Sequence, residues 1–269
     1  MAFNRPKFLT VVLIAIAETT LIVIGASRAF ADTSTECVTE NFCYCVHGYL
    51  KDTIEQRIAH IRGLIRGQRR HGKAIGYMSI PLSTVGGSYL PLNTKVATEV
   101  KSHIEERFGI RAVWVLNPAA KDVGLPEGAS GADYMFMWTR VLGGDDGLGR
   151  DFDFVYFVGP SDFARHFSLD GHGDMKKIDS YYYGLFRNPK LAAVDKVLFR
   201  NYYGLRASVA FSFGSHDEWN IARAINEKRR SADPKLGIAN QLGIFFDGRA
   251  VAPGLFETAI AAGNVRKCE

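Results

Sequence analysis

The sequence lacks several features that would place it in a common functional class. Its 33 lysines and arginines barely exceed its 28 aspartates and glutamates, and a net charge of +5 over 269 residues is too mild to indicate a nucleic-acid partner. It contains neither the G-x-G-x-x-G nor the G-x-x-x-x-G-K-[ST] pattern, so neither a dinucleotide fold nor a P-loop nucleotide site is indicated. It has no internal repeat and no low-complexity tract. Its length suits one large α/β domain or two small ones.

The first 31 residues have the pattern of a secretory signal. Arg5 and Lys7 precede a largely apolar stretch at 9–24, and residues 29–31 match an A-x-A cleavage site. An uncleaved membrane anchor is the alternative, because the apolar stretch is longer than usual, but Glu18 interrupts it. We expect cleavage, which lowers the net charge from +5 to +3, and no stable membrane insertion afterwards. The expected location is periplasmic or secreted.

Cysteine is scarce, and its placement is informative. The four cysteines are Cys37, Cys43, Cys45 and Cys268, an even number that predicts disulfides in an exported chain. Because Cys268 is the penultimate residue, we expect one bridge to join the two ends of the mature chain. Cys43, Cys45 and His47 are the alternative metal ligands, but C-x-C-x-H matches no common zinc pattern. We therefore expect no metal.

Patterns typical of strands and helices alternate along the rest of the chain. Strands are predicted at 73–80, 112–116, 152–158, 207–213 and 242–246. Helices are predicted at 50–70, 93–108, 132–142, 218–230 and 253–262. This alternation predicts an α/β fold, a three-layer Rossmann- or flavodoxin-like parallel sheet with helices on both faces.

The chain divides into a signal peptide at 1–31, a Cys-containing segment and helix at 32–72, and an α/β domain at 73–269. Residues 32–50 are predicted to be irregular. Residues 163–206 are rich in aromatic side chains and interrupt the alternation. We interpret them as an insertion that lies over the carboxyl edge of the sheet as a lid or wall.

Polar residues follow several predicted strands, where α/β proteins place their chemistry. Ser215-x-x-Glu218 opens the helix after residue 213 and is also the pattern of a capping box. Serines and glycines follow the first strand, Asn117 ends the second, and Asp162 follows the third. A shared pocket would make these residues functional, whereas caps and turns explain each of them singly.

The order of these motifs resembles the nucleoside 2-deoxyribosyltransferase-like superfamily, including its nucleotide N-glycosidase branch. The matching positions span about 150 residues and are Tyr77 and Pro81, Asn117-Pro118-Ala119, Tyr134-Met135, Asp153-Val155-Tyr156, and Gly214-Ser215 with Glu218. The resemblance implies that Glu218 attacks the anomeric carbon of a sugar and that Tyr77 contacts this glutamate. It also implies a small-molecule substrate and no cofactor. A homo-oligomer is possible, because family members often complete their sites with a neighbouring subunit.

Departure of a nucleobase requires a proton donor, and Asp162 is the first candidate, followed by Asp217 or His216. We expect the helix N-terminus to keep Glu218 ionised. The predicted substrate-binding residues are Ser79, Ser83, Gly86, Gly87, Asn117, Ser215 and Asp217.

The expected function is an exported N-glycosidase or glycosyltransferase that acts on a nucleoside- or nucleotide-like ribosyl substrate. Ser212 stands where the transferases usually have an aspartate. Hydrolysis of a different type of glycosidic bond is therefore a further alternative. A non-catalytic periplasmic binding protein for a nucleoside- or sugar-like ligand is the alternative. A serine hydrolase that uses Ser215 is a weaker reading, because the G-x-S-x-G elbow is missing there.

Overall fold

The computed structural model describes residues 32–38, 42–82, 85–185, 187, 194–252, 255 and 259–269. The predicted signal at 1–31 and Ser83 lie outside the described residues. Half of the predicted closing helix at 253–262 also lies outside them, and its described end at 259–262 is not helical. None of the helices in the described ranges is long and apolar enough to cross a membrane.

The first described segment is a hairpin, not the irregular stretch predicted from its composition. Strands β1 (Thr33–Cys37) and β2 (Cys43–His47) pair in antiparallel fashion. A disulfide joins Cys37 to Cys43 across the hairpin, and a second joins Cys45 to Cys268. The predicted bridge between the two ends is confirmed, and the metal alternative is wrong because both of its cysteines are oxidised. Disulfides fit an oxidising compartment.

A mixed, mostly parallel sheet forms the centre of the fold. Its strands are β3 (Ala74–Ser79), β4 (Val113–Leu116), β5 (Phe154–Phe157), β6 (Gly243–Phe246) and β7 (Arg249–Ala250). In the described part of the chain their order is β4-β3-β5-β6-β7. The first four are parallel, as predicted, and β7 runs antiparallel to β6. The short apolar strands are typical of a sheet that is covered on both faces.

Helices flank this sheet. They are α1 (Lys51–Arg70), α2 (Leu90–Phe108), α3 (Gly131–Gly143), α4 (Pro160–Phe167), α5 (Asp174–Leu185), α6 (Lys196–Asn201) and α7 (Phe213–Ala232). Successive side chains of a strand point to opposite faces. In β5, Phe157 contacts Trp219 of α7, whereas Phe154 contacts Phe108 of α2. The two helices therefore cover opposite faces of the sheet, which is compatible with a Rossmann-like fold.

The strand predicted at 207–213 does not form. Residues Val209–Phe211 make a 3-10 turn, and α7 begins at Phe213, five residues before the predicted start. Ser208 accepts a hydrogen bond from the Ala210 N–H, and Ser212 accepts one from the Ser215 N–H. The two serines that alternate with apolar residues here are caps of consecutive turns, because a short hydroxyl side chain satisfies free backbone N–H groups.

The aromatic insertion packs beside the loop that follows β3. The ring of Tyr203 contacts Phe163, Phe167 and Phe199, and its hydroxyl donates to the side chain of Asn93. Gly87 has a φ of +100°, and a Cβ there would collide with the Leu198 carbonyl of α6. The insertion therefore packs against the loop that follows β3 and the start of α2.

Candidate functional site

The candidate site is centred on the carboxylate of Glu218, which packs against the end of β3. The Tyr77 hydroxyl donates a hydrogen bond to Oε1, and the Ser79 hydroxyl donates one to Oε2. Tyr77 and Ser79 are two positions apart on one strand, so their side chains share a face. Glu218 is only 6% exposed. The capping-box interpretation is therefore wrong: Ser212 caps α7, and Glu218 bonds to the sheet instead of its own backbone.

The protonation of Glu218 differs from the sequence expectation. Burial raises its pKa to about 7, hydrogen bonds from Ser79 and Tyr77 oppose the rise, and the charge of Asp217 adds to it. Because Glu218 is the sixth residue of α7, it lies beyond the first turn, where the helix dipole acts. Burial also raises the pKa of Tyr77, so its hydroxyl stays protonated and remains a donor. Glu218 thus titrates close to neutrality.

This raised pKa predicts a specific dependence of stability on pH. Between the unfolded pKa of 4.5 and the folded value of about 7, the folded state binds more protons, so stability falls as pH rises. The expected loss from Glu218 alone is about 3 kcal/mol, at about 1.4 kcal/mol per pKa unit. Glu218→Gln should remove this loss, as measured by urea unfolding at pH 5 and pH 8.

Glu106→Gln is the matched control, because Glu106 is an exposed carboxylate of α2. It should leave the wild-type difference between pH 5 and pH 8 unchanged. An equal difference in wild type and Glu218→Gln would show that Glu218 does not titrate in this range.

Four residues form a lateral row across the carboxyl end of the sheet. Ser79 pairs with Phe157, Phe157 pairs with Phe246, and Phe246 pairs with Arg249. We call these four residues the carboxyl-edge row. β4 lies on one side of β3 and β5 on the other, so the strand order reverses beside Ser79. Ligands of open α/β sheets bind in the crevice outside the strand ends at this reversal.

A cleft of about 790 Å³ opens beside three of these residues, whereas Ser79 is fully buried and does not line it. Phe157, Phe246 and Arg249 line it from the sheet, and Ser215, His216 and Trp219 line it from α7. Its remaining wall is mostly apolar and includes Val209, Val251, Leu255 and Ile260. Glu218 does not line the cleft, although Ser215 one turn before it and Trp219 directly after it do. The size and lining suit a small organic ligand with a planar apolar part.

Two polar groups of the cleft have an open hydrogen-bonding valence. The buried hydroxyl of Ser215 and the buried Nδ1 of His216 bond to no other described residue. The other ring nitrogen of His216 lies 2.9 Å from the Ala210 carbonyl oxygen. A carbonyl oxygen only accepts, so Nε2 has the hydrogen and the neutral ring presents Nδ1 as an acceptor. Buried polar groups of this kind are usually satisfied. Because both atoms are buried, a ligand would contact them only after neighbouring side chains move.

Asp162, the first candidate for the proton donor, lies on the other face of the sheet. Its carboxylate accepts from the Tyr156 hydroxyl at 3.0 Å and from the Gly159 N–H at 3.1 Å. Tyr156 and Phe157 are adjacent on β5 and therefore point to opposite faces. Burial raises the pKa of Asp162. Its position at the start of α4 makes it a helix cap, and it does not line the cleft beside α7, so the structure gives no support to Asp162 as the proton donor.

The other predicted binding residues are dispersed. Asn117 accepts from the Ala119 N–H in a turn, and Gly86 is exposed. Asp217 accepts from the backbone N–H groups of Gly263 and Asn264, both at 2.8 Å, and so holds the C-terminal segment on α7. Of the predicted set, Ser79 contacts Glu218 and Ser215 lines the cleft.

Sequence reasoning did not select Phe157, Trp219 or Arg249 as binding residues. Phe157 belongs to a continuous apolar run, and Trp219 follows Glu218 directly, so both resemble core residues. Arg249 lies in a two-residue strand, too short to be predicted. The aspartate–glycine turn at Asp247-Gly248, which is a strong hairpin signal, indicates that strand.

The site is that of an α/β protein in which a buried glutamate contacts a mostly parallel sheet where the order of its strands reverses. Comparison of the chain with models of protein families, with curated proteins and with solved structures found no match. Function is therefore argued from the site itself.

Proposed function

We propose that this protein is an exported N-glycosidase or glycosyltransferase that acts on a nucleoside- or nucleotide-like ribosyl substrate, with Glu218 as the nucleophile. The observation that carries the proposal is the Glu218 carboxylate held by Tyr77 and Ser79 beside a cleft at the sheet reversal. The strand order β4-β3-β5-β6 is also that of a flavodoxin-like sheet, which supports the proposed family resemblance.

The Tyr77 and Ser79 hydrogen bonds suit a nucleophile. Two donors fix both carboxylate oxygens of Glu218 and leave the second lone pair of each oxygen free. In the proposed step, one oxygen forms a bond to the anomeric carbon while the bond from that carbon to the base nitrogen breaks. The electron pair of the broken bond leaves with the base. Water or a second base then attacks the anomeric carbon and releases the Glu218 carboxylate.

The departing base needs a proton, and we assign His216 as its donor. Because Nε2 donates to the Ala210 carbonyl, Nδ1 is the ring nitrogen that remains without a hydrogen bond, and since it is buried, the ring must shift before Nδ1 contacts a base. A doubly protonated His216 would donate from Nδ1 to the base nitrogen as the glycosidic bond breaks. His216 is a better candidate than Asp162, because His216 lines the cleft and Asp162 does not.

The pKa of Glu218 is consistent with this role. A value of about 7 leaves a substantial fraction of the group ionised at neutral pH. Desolvation also makes the carboxylate a better nucleophile than a fully hydrated one. The sugar has to approach α7 between Ser215 and Trp219, because the carboxylate itself is only 6% exposed.

A non-catalytic binding protein is the second candidate. One observation favours it: Glu218 does not line the cleft, whose surface is mostly apolar. In this alternative the ligand packs on the partly exposed rings of Trp219 and Phe246, and Glu218 only joins α7 to β3.

The serine-hydrolase reading lacks support in the described residues. The Ser215 hydroxyl has no hydrogen-bond partner there, so no base is placed to activate it.

A single panel separates the two candidates. The purified protein, with its disulfides intact, is incubated with purine and pyrimidine nucleosides and their 5′-monophosphates. Free base is quantified by chromatography, and the melting temperature is recorded with each compound. Base release supports the enzyme, and stabilisation without release supports the binding protein. If neither response occurs with any compound, both candidates are contradicted.

A further inference from the structure

The aromatic insertion carries a group of exposed apolar side chains that lies outside the cleft. These side chains are between 38% and 75% exposed and belong to Met175, Tyr183, Val197, Leu198 and Leu205. We call these five residues the insertion patch. None of them lines the cleft beside α7. Single exposed apolar residues are common on protein surfaces, whereas a group of them on neighbouring elements marks an interaction site.

Contacts between α5 and α6 bring one part of the patch together. The Nζ of Lys196 lies 2.6 Å from the Tyr183 hydroxyl oxygen and 4.4 Å from the centre of its ring. Val197 follows Lys196 directly on α6. The exposed Tyr183 of α5 and the exposed Val197 of α6 therefore lie on adjoining elements, with a lysine between them.

The other part of the patch lies where α6 continues into the segment Tyr202–Arg206. The Cε of Met175, at the start of α5, lies 2.6 Å from the position that a Cβ would take at Gly204. Leu205 follows Gly204 directly and is 75% exposed. Met175 thus packs on the backbone beside the most exposed member of the patch.

The insertion also carries the positive charge of the protein. Residues 163–206 contain eight lysines and arginines and four aspartates, a net charge of +4. The rest of the chain after the expected signal cleavage has a net charge of −1, because the cleaved chain as a whole has +3. A potential of this asymmetry favours an anionic partner on the side of the insertion.

Two cations beside the patch are available to such a partner. Three of the four aspartates pair with a lysine or arginine of the insertion, and the fourth caps α6. Lys176 and Arg206 are exposed and form no ion pair with another described residue. Lys176 follows Met175 directly, and Arg206 follows Leu205 directly. Each of these exposed apolar side chains therefore has an unpaired cation next to it.

We infer that the insertion patch docks on an anionic lipid surface. Apolar side chains that insert among lipid headgroups need no complementary pocket, and nearby lysines and arginines are attracted by the lipid phosphates. Tyrosine is enriched at membrane interfaces, and lysine and arginine keep their charge in the headgroup region while their stems cover apolar surface. A second copy of the chain would bring the same positive charge to the contact, which opposes self-association.

This inference does not depend on the proposed catalytic function, because the patch and the cleft share no residue. It is tested by co-sedimentation with lipid vesicles. The test uses the chain from Asp32, the form expected after signal cleavage, because Ala31–Glu269 is a compact unit by itself. Vesicles of phosphatidylcholine alone are compared with vesicles of equal parts phosphatidylcholine and phosphatidylglycerol.

Two double variants of the patch and two matched controls are compared. Lys176→Gln/Arg206→Gln removes the unpaired cations, and Val197→Ser/Leu205→Ser removes two side chains that are 60% and 75% exposed. The controls change the same kinds of residue elsewhere. They are Arg66→Gln/Arg70→Gln, on the exposed part of α1, and Ile110→Ser/Leu236→Ser, whose apolar side chains are 64% and 52% exposed. Circular dichroism checks that each variant is folded.

We expect the anionic vesicles to bind the protein at least about tenfold more tightly than phosphatidylcholine alone, with weaker binding at higher salt concentration. Each patch variant should weaken this binding at least about fivefold, and each control at most about twofold. Equal binding to both kinds of vesicle, no binding to either, or an equal loss in the controls overturns the inference. Self-association that Val197→Ser/Leu205→Ser abolishes, without vesicle binding, also overturns it and identifies the patch as an interface between copies.

Discussion

Replacing Glu218 with glutamine should reduce base release at least about 1,000-fold while the protein remains folded. Glutamine has nearly the same shape and keeps an acceptor oxygen for Tyr77 or Ser79, but an amide is not a nucleophile toward an anomeric carbon. The measurement is the rate of base release at pH 7 with the best substrate of the panel, with folding checked by circular dichroism.

Two control variants test whether the loss of base release is specific to Glu218. Glu106→Gln removes an exposed carboxylate of α2 and should leave the rate unchanged. Asp162→Asn tests whether Asp162 is the proton donor, as the sequence suggested. In the structure Asp162 lies across the sheet from Glu218 and bonds to Tyr156. We expect Asp162→Asn to keep most of the activity. A Glu218→Gln variant that stays active, or an Asp162→Asn variant that is inactive although folded, would contradict the proposed mechanism.

Removing the disulfide between Cys45 and Cys268 should lower the stability of the fold by a large amount. It closes a loop with a sequence separation of 223, whereas the bridge between Cys37 and Cys43 has a separation of 6. In the loop-entropy model these values correspond to about 5 and about 2 kcal/mol of stability. Replacing both cysteines of a pair with serine should therefore lower the free energy of unfolding more for the long loop, as measured by urea titration.

The long-range bridge also acts near the site. It fixes the end of the C-terminal segment, which Asp217 and Asn220 of α7 hold through hydrogen bonds to Ile260, Gly263 and Asn264. Ile260 lines the cleft. Losing this bridge should weaken ligand binding as well as stability, whereas losing the hairpin bridge should affect stability alone. Equal losses of stability for the two pairs would contradict the loop argument.

Much of the sheet was predictable because its strands are short apolar runs between helical patterns. The predicted runs at 73–80 and 152–158 contain β3 and β5 within two residues at each end. The prediction of a strand at 207–213 was wrong because alternation of small polar with apolar residues also arises from consecutive turn caps. Ser208 and Ser212 satisfy backbone N–H groups locally, so no neighbouring strand is needed.

The site itself could be predicted only in part. Tyr77 and Glu218 are 141 residues apart, and no local pattern relates them, so their pairing came from the resemblance of the ordered motifs. Asp162 was misplaced because sequence places it at the correct strand end but does not report the face. The pKa of Glu218 also depends on burial between α7 and β3, a tertiary property that the helix pattern does not contain.

The proposed mechanism requires a covalent bond between Glu218 and the sugar, and a slowly reacting substrate can trap it. A 2′-fluoro-arabinosyl nucleoside slows the formation and hydrolysis of such an ester, because fluorine destabilises positive charge at the anomeric carbon in both transition states. Intact-mass spectrometry and peptide mapping of the treated protein then locate the adduct. We expect one fluorosugar attached to Glu218 in wild type and none in Glu218→Gln. An unmodified wild-type protein that nevertheless releases base, or a label on another residue, would contradict it.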